Sequence, residues 1–331
     1  MIRSEQELEA LLSVPYEEDV QALANLKGDL ILLGAGGKMG PTLVARAVQA
    51  NRDPKRKIYA VARHGNFIDG ATVIRADLSD RAQVDALPDA ANVLYLVGRK
   101  FGSTGAEHLT WGANAIVPAV VAERYVRSNI VALSTGNVYP FVPVASGGAT
   151  EETKPSPIGE YAWSALARER IFEYFAAERG TPVAILRLNY AVEQRYGTLV
   201  DIASKVLSNE SIDLTMGYFN CIWQGDANSI CLRAFAACST PQARILNMTG
   251  LETLRVRDVA GEFGKRFGRT PQFIGEEAPT ALLNNAAESA RLFGEPKVSV
   301  PQMMDWIAEW LQQGGATLNK PTHFEVRTGS Y

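Results

Sequence analysis

The chain is predicted to be an α/β protein, a doubly wound parallel sheet followed by a smaller C-terminal α/β lobe. Three observations predict it. Short apolar runs without polar alternation recur over the first two thirds of the sequence, as strands buried on both faces require. Helical stretches separate most of them, which implies right-handed crossovers and parallel pairing. The composition, 331 residues with 47% hydrophobic and 21% charged, is that of a globular chain and excludes disorder, collagen-like repeats and disulfide miniproteins. A single core is near its limit at this length. The expected division is therefore an N-terminal helical extension over 1–27, an α/β domain over 28–190 and a smaller lobe over 191–331, some segments of which return to the first domain.

Charge and cysteine content narrow the functional classes. Thirty-three Lys and Arg against 36 Asp and Glu give a formal charge of −3, so no broad basic surface points to nucleic acid. Cys221, Cys231 and Cys238 lack the paired spacing of a zinc site, and the chain has only three His; free thiols and no metal are expected. The acidic N-terminus lacks a secretory leader's basic start. No apolar run approaches the roughly 20 residues that span a bilayer. A cytoplasmic protein that uses no membrane is the expectation.

The elements follow in order. Residues 1–27 read as two short amphipathic helices broken near Pro15, a packing arm or an oligomer contact. Leu30–Leu33 is the first strand and Pro41–Ala50 the first crossover helix. Lys57–Ala62, Thr72–Ile74, Val93–Val97, Ile130–Ser134 and Val183–Leu188 are further strands, with long helices at Glu107–Arg127 and Glu160–Glu178. After about residue 190 the rhythm is irregular. A helix at Leu199–Leu207, a strand at Ile245–Met248 and helices at Val256–Phe267 and Val300–Gln312 make up the expected lobe. The Gly- and Thr-rich tail from Gly314 to Tyr331 is expected to order against a partner.

Between the first strand and its helix lies Gly34-Ala-Gly36-Gly37-Lys38-Met39-Gly40. Gly34, Gly37 and Gly40 fall at three-residue spacing. The first permits a tight turn, the second lets the backbone approach a pyrophosphate, and the third lets helix and strand pack closely. Free N–H groups at the helix start complete an anion site. In its strand–turn–helix setting this turn is read as the dinucleotide loop of a Rossmann-type sheet. The end of the second strand, Ala62-Arg63-His64, carries no acid to accept from a ribose 2′-OH. Arg63 can face a 2′-phosphate instead, with Lys38 assisting, which favours NADP over NAD; otherwise Arg63 is a solvated strand-end residue.

Taken in order, these residues resemble the extended short-chain dehydrogenase/reductase family, the NAD(P)-dependent epimerase/dehydratase group acting mostly on sugars and nucleotide sugars. The resemblance runs from about residue 29 to about 312. Asp77-Leu78 resembles the pair that borders the adenine. Val97-Gly98-Arg99-Lys100 resembles the loop that lines the cofactor, and Asn114 the helix Asn of the pattern. Ser134-Thr135-Gly-Asn-Val-Tyr139, Arg187-Leu-Asn189, Ile245–Gly250 and Arg291–Gly294 match later segments. The resemblance implies a dinucleotide cofactor, a carbohydrate-like substrate and a homodimer paired through the two long helices.

The catalytic position departs from that pattern. Where family members carry Tyr-x-x-x-Lys, this chain has Tyr161-Ala-Trp-Ser-Ala165. Residues four apart share a helix face, so the lysine would lie beside the tyrosine and the cofactor ribose. Free Tyr titrates near about 10, and a neighbouring cation lowers it. Without that cation Tyr161 is a poor base near neutrality but still a proton donor, so reduction suffers less than oxidation. The resemblance makes Lys100 the candidate substitute cation; the alternatives are a cofactor phosphate contact and a plainly solvated side chain. Arg168 lies seven positions after Tyr161, on the same helix face but roughly 10 Å along the axis, and a surface ion pair is expected for it. Thr135 is the expected partner of the reacting oxygen, with Ser134 as its reserve; the alternative for Thr135 is a hydroxyl satisfied by a backbone turn. Trp163 and Tyr139 are candidate pocket walls. Arg195, Tyr196, Tyr218, Asn220 and Gln224 are polar and aromatic enough to line a sugar site. A dehydratase is disfavoured, because Gly136-Asn137 supplies no carboxylate beside Thr135. Two functions remain open: an oxidoreductase or epimerase, and a catalytically silent dinucleotide-binding sensor or partner subunit, which Ala165 supports.

Overall fold

The structure is a computed structural model that describes residues 2–64, 69–102 and 104–329. Helices α1 (Glu5–Ser13) and α2 (Glu17–Asn25) precede strand β1 (Leu30–Leu33). They are followed by α3 (Gly40–Ala50), β2 (Ile58–Ala62), β3 (Thr72–Arg75), α4 (Arg81–Asp85) and β4 (Asn92–Tyr95). Next come α5 (Glu107–Trp111), α6 (Val117–Arg124), β5 (Asn129–Thr135), the short β6 (Val142–Pro143), α7 (Gly159–Arg179) and β7 (Val183–Leu188). The remainder holds β8 (Ala191–Val192), α8 (Thr198–Leu207), β9 (Ser211–Asp213), β10 (Tyr218–Phe219), β11 (Ile222–Trp223), α9 (Gln224–Arg233) and β12 (Arg244–Met248). It closes with β13 (Leu254–Arg255), α10 (Val256–Phe267), β14 (Gln272–Ile274), β15 (Thr280–Ala281), α11 (Ala287–Phe293) and α12 (Val300–Gln312).

Seven strands form one sheet in the order β12-β7-β5-β4-β1-β2-β3, and every pairing in it is parallel. The expected doubly wound sheet is present. Leu30 pairs with Ile58 on one side and with Asn92 on the other, so the strand order reverses at β1. In open sheets of this kind a crevice opens at the carboxyl ends of the strands at that point, and β1 runs straight into the glycine turn there.

The unbroken apolar run of β1 serves two cores. Leu30 and Leu32 pack with Leu43, Val44 and Ala47 of α3, while Ile31 and Leu33 face Val117, Val121, Phe172 and Phe175 of α6 and α7. Each of these leucines, fully buried, contributes about 1.5–3 kcal/mol. A third cluster joins Leu8 and Leu12 of α1 to α8, α10 and α12. The N-terminal helices therefore pack on their own chain. Asp19 and Arg46, both essentially inaccessible, pair at 2.6 Å to fix α2 against α3.

Three features refine or correct the sequence reading. The strand placed in the lobe, now β12, adds to the main sheet beside β7, so it is one of the segments that return to the first domain; Arg244–Met248 continues the buried parallel ladder. The long helix expected over Glu107–Arg127 is interrupted by a π turn at Gly112–Ile116 and stops at Arg124. Pro118, lacking an N–H, breaks the regular ladder there. The tail packs against its own chain as far as Gly329; Ser330 and Tyr331 lie outside the described residues. Phe324 is buried against Phe219, the Thr322 N–H and hydroxyl donate to Asp201, and Gly329 lies against Ile158–Gly159. No helix among the described residues is long and apolar enough to cross a membrane.

Candidate active site

The glycine turn joins β1 to α3. Gly34 has φ of +90°, and a Cβ there would stand 3.0 Å from Val97 Cγ2 and 3.1 Å from Val97 N. A Cβ on Gly40 would strike the Ala35 carbonyl. Only glycine fits either position, the first for its left-handed backbone and the second for close packing. Gly34 N–H and Ala35 N–H donate to Val61 O at 3.0 and 2.9 Å, and Gly37 N–H to Gly34 O at 3.0 Å. Among the described residues, the N–H groups of Lys38 and Met39 take no carbonyl. They stand at the start of α3 and face a cavity of about 250 Å³. That donor set fits the diphosphate of a dinucleotide.

Across the same cavity stand Thr135, the last residue of β5, and Tyr161, in the first turn of α7. The Thr135 hydroxyl accepts Asn137 N–H at 3.2 Å and keeps its own proton to donate. Ser134 also lines the cavity, but its hydroxyl donates to Glu169 at 2.5 Å. Glu169 in turn takes Nε and Nη2 of Arg187 at 3.0 and 2.6 Å, with both side chains essentially inaccessible. Ser134 thus belongs to a polar network beneath the floor. Tyr139 is in that network too. Its hydroxyl accepts from Arg187 at 2.6 Å and donates to Asn247 at 2.9 Å, and burial pushes it up to about 12. Tyr139 is therefore core rather than pocket wall, and Trp163 is half exposed and not part of the cavity lining.

Ala165 is completely buried among Val138, Tyr139, Ala149 and Leu166. The nearby cations have distinct placements. Arg168 does not make the expected surface pair. It is buried, donating through Nη1 to Leu133 O at 2.6 Å and through Nη2 to Asn114 Oδ1 at 2.9 Å. Two helical turns from Tyr161 put it on the face that meets the sheet, where a strand carbonyl takes the guanidinium. Lys100 does line the cavity, donating to Thr322 O at 3.0 Å. Lys38 does not join Arg63: its Nζ reaches the opposite side of the crevice, donating to Ala191 O at 2.8 Å and lying 4.2 Å from the Tyr196 ring centre. Burial pulls both lysines down to about 8.

The remaining expected cofactor residues spread along the strand ends. Arg63 is exposed just after β2, between Ala62 and His64, which stand against Gly36. Asp77 accepts Ser79 N–H and hydroxyl, which hold its carboxyl below the usual range, whereas Leu78 is buried in the core. Val97 backs Gly34, and Gly98 lies over the Arg168 guanidinium. Asn114, within the π turn, accepts Arg99 N–H at 2.8 Å and donates to Arg99 O at 3.0 Å, so it holds the loop that carries Lys100 rather than lining the cavity.

Of the five candidate sugar contacts, only Tyr196 lines the cavity. Arg195 is bound to Glu5, Glu9 and Glu193, Tyr218 donates to Glu277, and Asn220 and Gln224 are buried in other hydrogen bonds. The tail also reaches this loop, with Leu318 N–H on Arg195 O at 2.9 Å. Sequence reasoning missed Asn137, Asn189, Tyr190 and Thr322, all of which line the cavity. Asn189 and Tyr190 follow β7 directly, and a strand's carboxyl end was the available signal. Tyr190 has φ of +49°, a conformation costly for a bulky side chain and found most often at functional sites. Nothing in the sequence marked Thr322.

Comparison with known proteins agrees with this geometry. No curated protein matches the chain in sequence. The structure resembles the UDP-glucose 4-epimerase of Thermotoga maritima with UDP-glucose, at 15% identity and TM-score 0.71, covering 86% of this chain and 99% of that one. It also resembles MoeE5 in complex with UDP-glucuronic acid and NAD, at 20% identity and TM-score 0.70, covering 87% and 100%. The UDP-glucuronic acid 4-epimerase of Bacillus cereus in complex with NAD matches at 17% identity and TM-score 0.71, covering 86% and 99%. These likenesses show a shared fold. The family profile described as the NAD dependent epimerase/dehydratase family matches residues 30–199, the stretch that builds the glycine turn, β5 and the first turn of α7, and the chain belongs to that family.

Proposed function

We propose that the chain is an NAD(P)-dependent oxidoreductase or epimerase acting on a sugar-like hydroxyl or ketone. The observation that carries this reading is that Tyr161 and Thr135 share one cavity with the glycine turn. When bound, the pyridine nucleotide supplies the hydride acceptor or donor. The chain's own residues do the rest. Lys38 and Met39 N–H groups grip the diphosphate, Thr135 orients the reacting oxygen, and Tyr161 gives or takes its proton. Lys100 contributes positive charge to the cavity in which the usual lysine has no counterpart. Arg63 favours NADP, while two of the structural relatives named above, MoeE5 and the Bacillus cereus epimerase, are complexed with NAD; calorimetric titration with both nucleotides decides. Steady-state assays following nicotinamide absorbance test the reading itself. Tyr161→Phe is expected to lower kcat about 10²–10⁴-fold with cofactor affinity unchanged; equal turnover in both forms overturns the assignment.

The buried, apolar surroundings of Ala165 favour a second reading, a cofactor-binding sensor or partner subunit without turnover. Tight nucleotide binding without turnover of any sugar in a broad panel is its signature. A homodimer through the helices around β5 is part of the first reading. Leu109, Trp111, Ile116, Trp163 and Tyr174 are exposed there, Ile116 by 64%, and a second copy would cover them.

A further inference from the structure

The turn that carries Thr135 is held by three contacts. Asn137 N–H donates to the Thr135 hydroxyl at 3.2 Å, and Tyr139 N–H to the Gly136 carbonyl at 3.0 Å. The third comes from far along the chain. A Cβ on Gly136 would fall 2.7 Å from both Nδ2 and Oδ1 of Asn284, nearer than packed atoms approach. Gly136 does not take the left-handed backbone that favours glycine, so space rather than conformation reserves the position for it. The Asn284 amide lies where a side chain on residue 136 would begin.

Asn284 has little freedom to leave that seat. It is 1% exposed, and a Cβ on Gly148 would stand 2.7 Å from its carbonyl carbon, so glycines hem it on two sides. Its N–H donates to Asn220 Oδ1 at 3.0 Å, and the same oxygen takes Asn189 Nδ2 at 3.3 Å. Its own Nδ2 reaches Asn247 Oδ1 at 3.5 Å, the acceptor of the Tyr139 hydroxyl. Asn189 lines the cavity together with Thr135 and Asn137. A single residue from the segment after β15 therefore joins the end of β5 to the residue that follows β7. Its Oδ1 takes no donor among the described residues, so the amide holds the turn by its bulk and not by a bond from that oxygen.

Resting on the hydride-transfer reading above, we propose that Asn284 is a positioning residue: by filling the place of a side chain at Gly136, it fixes the turn that aims the Thr135 hydroxyl at the reacting oxygen. Asn284 does not itself line the cavity, so it acts through Thr135. That hydroxyl has one proton to donate, and its direction follows the turn. Displacing the turn by about 1 Å carries the proton off its line, and misplacement on that scale costs about 100-fold in rate.

Two measurements on the full chain test this. The first needs no turnover. Amide exchange followed by NMR reports the Asn137 N–H, and Asn284→Ala is expected to speed it at least about tenfold, while Val131 and Ala132 inside β5 stay protected. The second is kinetic. Asn284→Ala and Gly136→Ala are each expected to lower kcat about 10–100-fold, with KM and nucleotide affinity little changed. In the Gly136→Ala, Asn284→Ala double variant the added methyl takes the vacated seat. Its kcat is expected to recover at least about fivefold over Gly136→Ala alone. With Thr135→Val in place, Asn284→Ala is expected to cost nothing further, an outcome that a general structural role would not give. Asn284→Ser takes its place should Asn284→Ala not fold. Unchanged Asn137 exchange overturns the proposal, as does an Asn284→Ala loss that persists in the Thr135→Val background or falls on nucleotide affinity. Absence of nucleotide binding or of turnover in the parent chain sinks the hydride-transfer reading by itself, and the exchange rate then decides alone whether Asn284 holds the turn.

Discussion

Asn114 Oδ1 accepts Nη2 of Arg168 at 2.9 Å and the backbone N–H of Arg99 at 2.8 Å. One side-chain oxygen thus ties α7 to the loop that delivers Lys100. Arg168→Met removes two charge-assisted hydrogen bonds, a loss of about 1.5–3 kcal/mol each before relaxation. A lower Tm together with reduced kcat is expected, with nucleotide affinity less affected. Thermal unfolding and steady-state kinetics on the same preparation check both.

Ala165→Lys places the residue of the family pattern into a sealed apolar cluster. Overpacking costs about 1–3 kcal/mol, and a buried ammonium adds to it. The variant is expected to melt lower and to show no gain in turnover. A rise in kcat would show that the new side chain reaches the cavity.

The N-terminal helices are held by a buried ion pair. Asp19→Ala strands the Arg46 guanidinium, which is 1% exposed, and is expected to lose about 3–5 kcal/mol. Ser229, whose hydroxyl donates to Asp19 at 2.5 Å, loses its acceptor as well. Urea denaturation gives the difference directly.

Lys38 and Lys100 titrate near about 8 because burial disfavours their charge; at Lys38, Glu193 opposes that pull and Arg195 adds to it, and at Lys100, Asp201 and Glu325 oppose it. The ammonium is present below that pH and lost above it. Affinity for an anionic group bound in this cavity, such as the diphosphate of the dinucleotide, is expected to be flat below pH 8 and to fall up to about tenfold per unit above it. Stability has the opposite sign. From about 8 to about 10.4 the unfolded chain holds protons that the folded chain has released, so stability rises with pH in that window. Binding curves and denaturation midpoints between pH 7 and 10 measure the two slopes.

The parts of the site legible in the sequence are those set by local geometry. Gly34 and Gly40 announce their turn because backbone sterics demand them, and β1 announces its burial because both of its faces are covered. Tyr161 and Thr135 are legible through a family pattern. What was not legible depends on contacts between distant segments. Lys38 was expected near Arg63, yet its side chain crosses to Ala191, 153 residues away. Arg168 was expected at the surface because a helix pattern does not reveal which strand carbonyl waits opposite. The tail carries no motif, and its role at the cavity follows from Phe324 and Thr322 finding partners in the lobe.

The loop from Glu193 to Gly197 is gripped from both extremities of the chain, by Glu5 and Glu9 through Arg195 and by Leu318 through the Arg195 carbonyl. Tyr196 rides on that clamp. Loosening of α1 or of the segment around Leu318 would therefore register at the cavity wall, although each lies far along the sequence from the glycine turn.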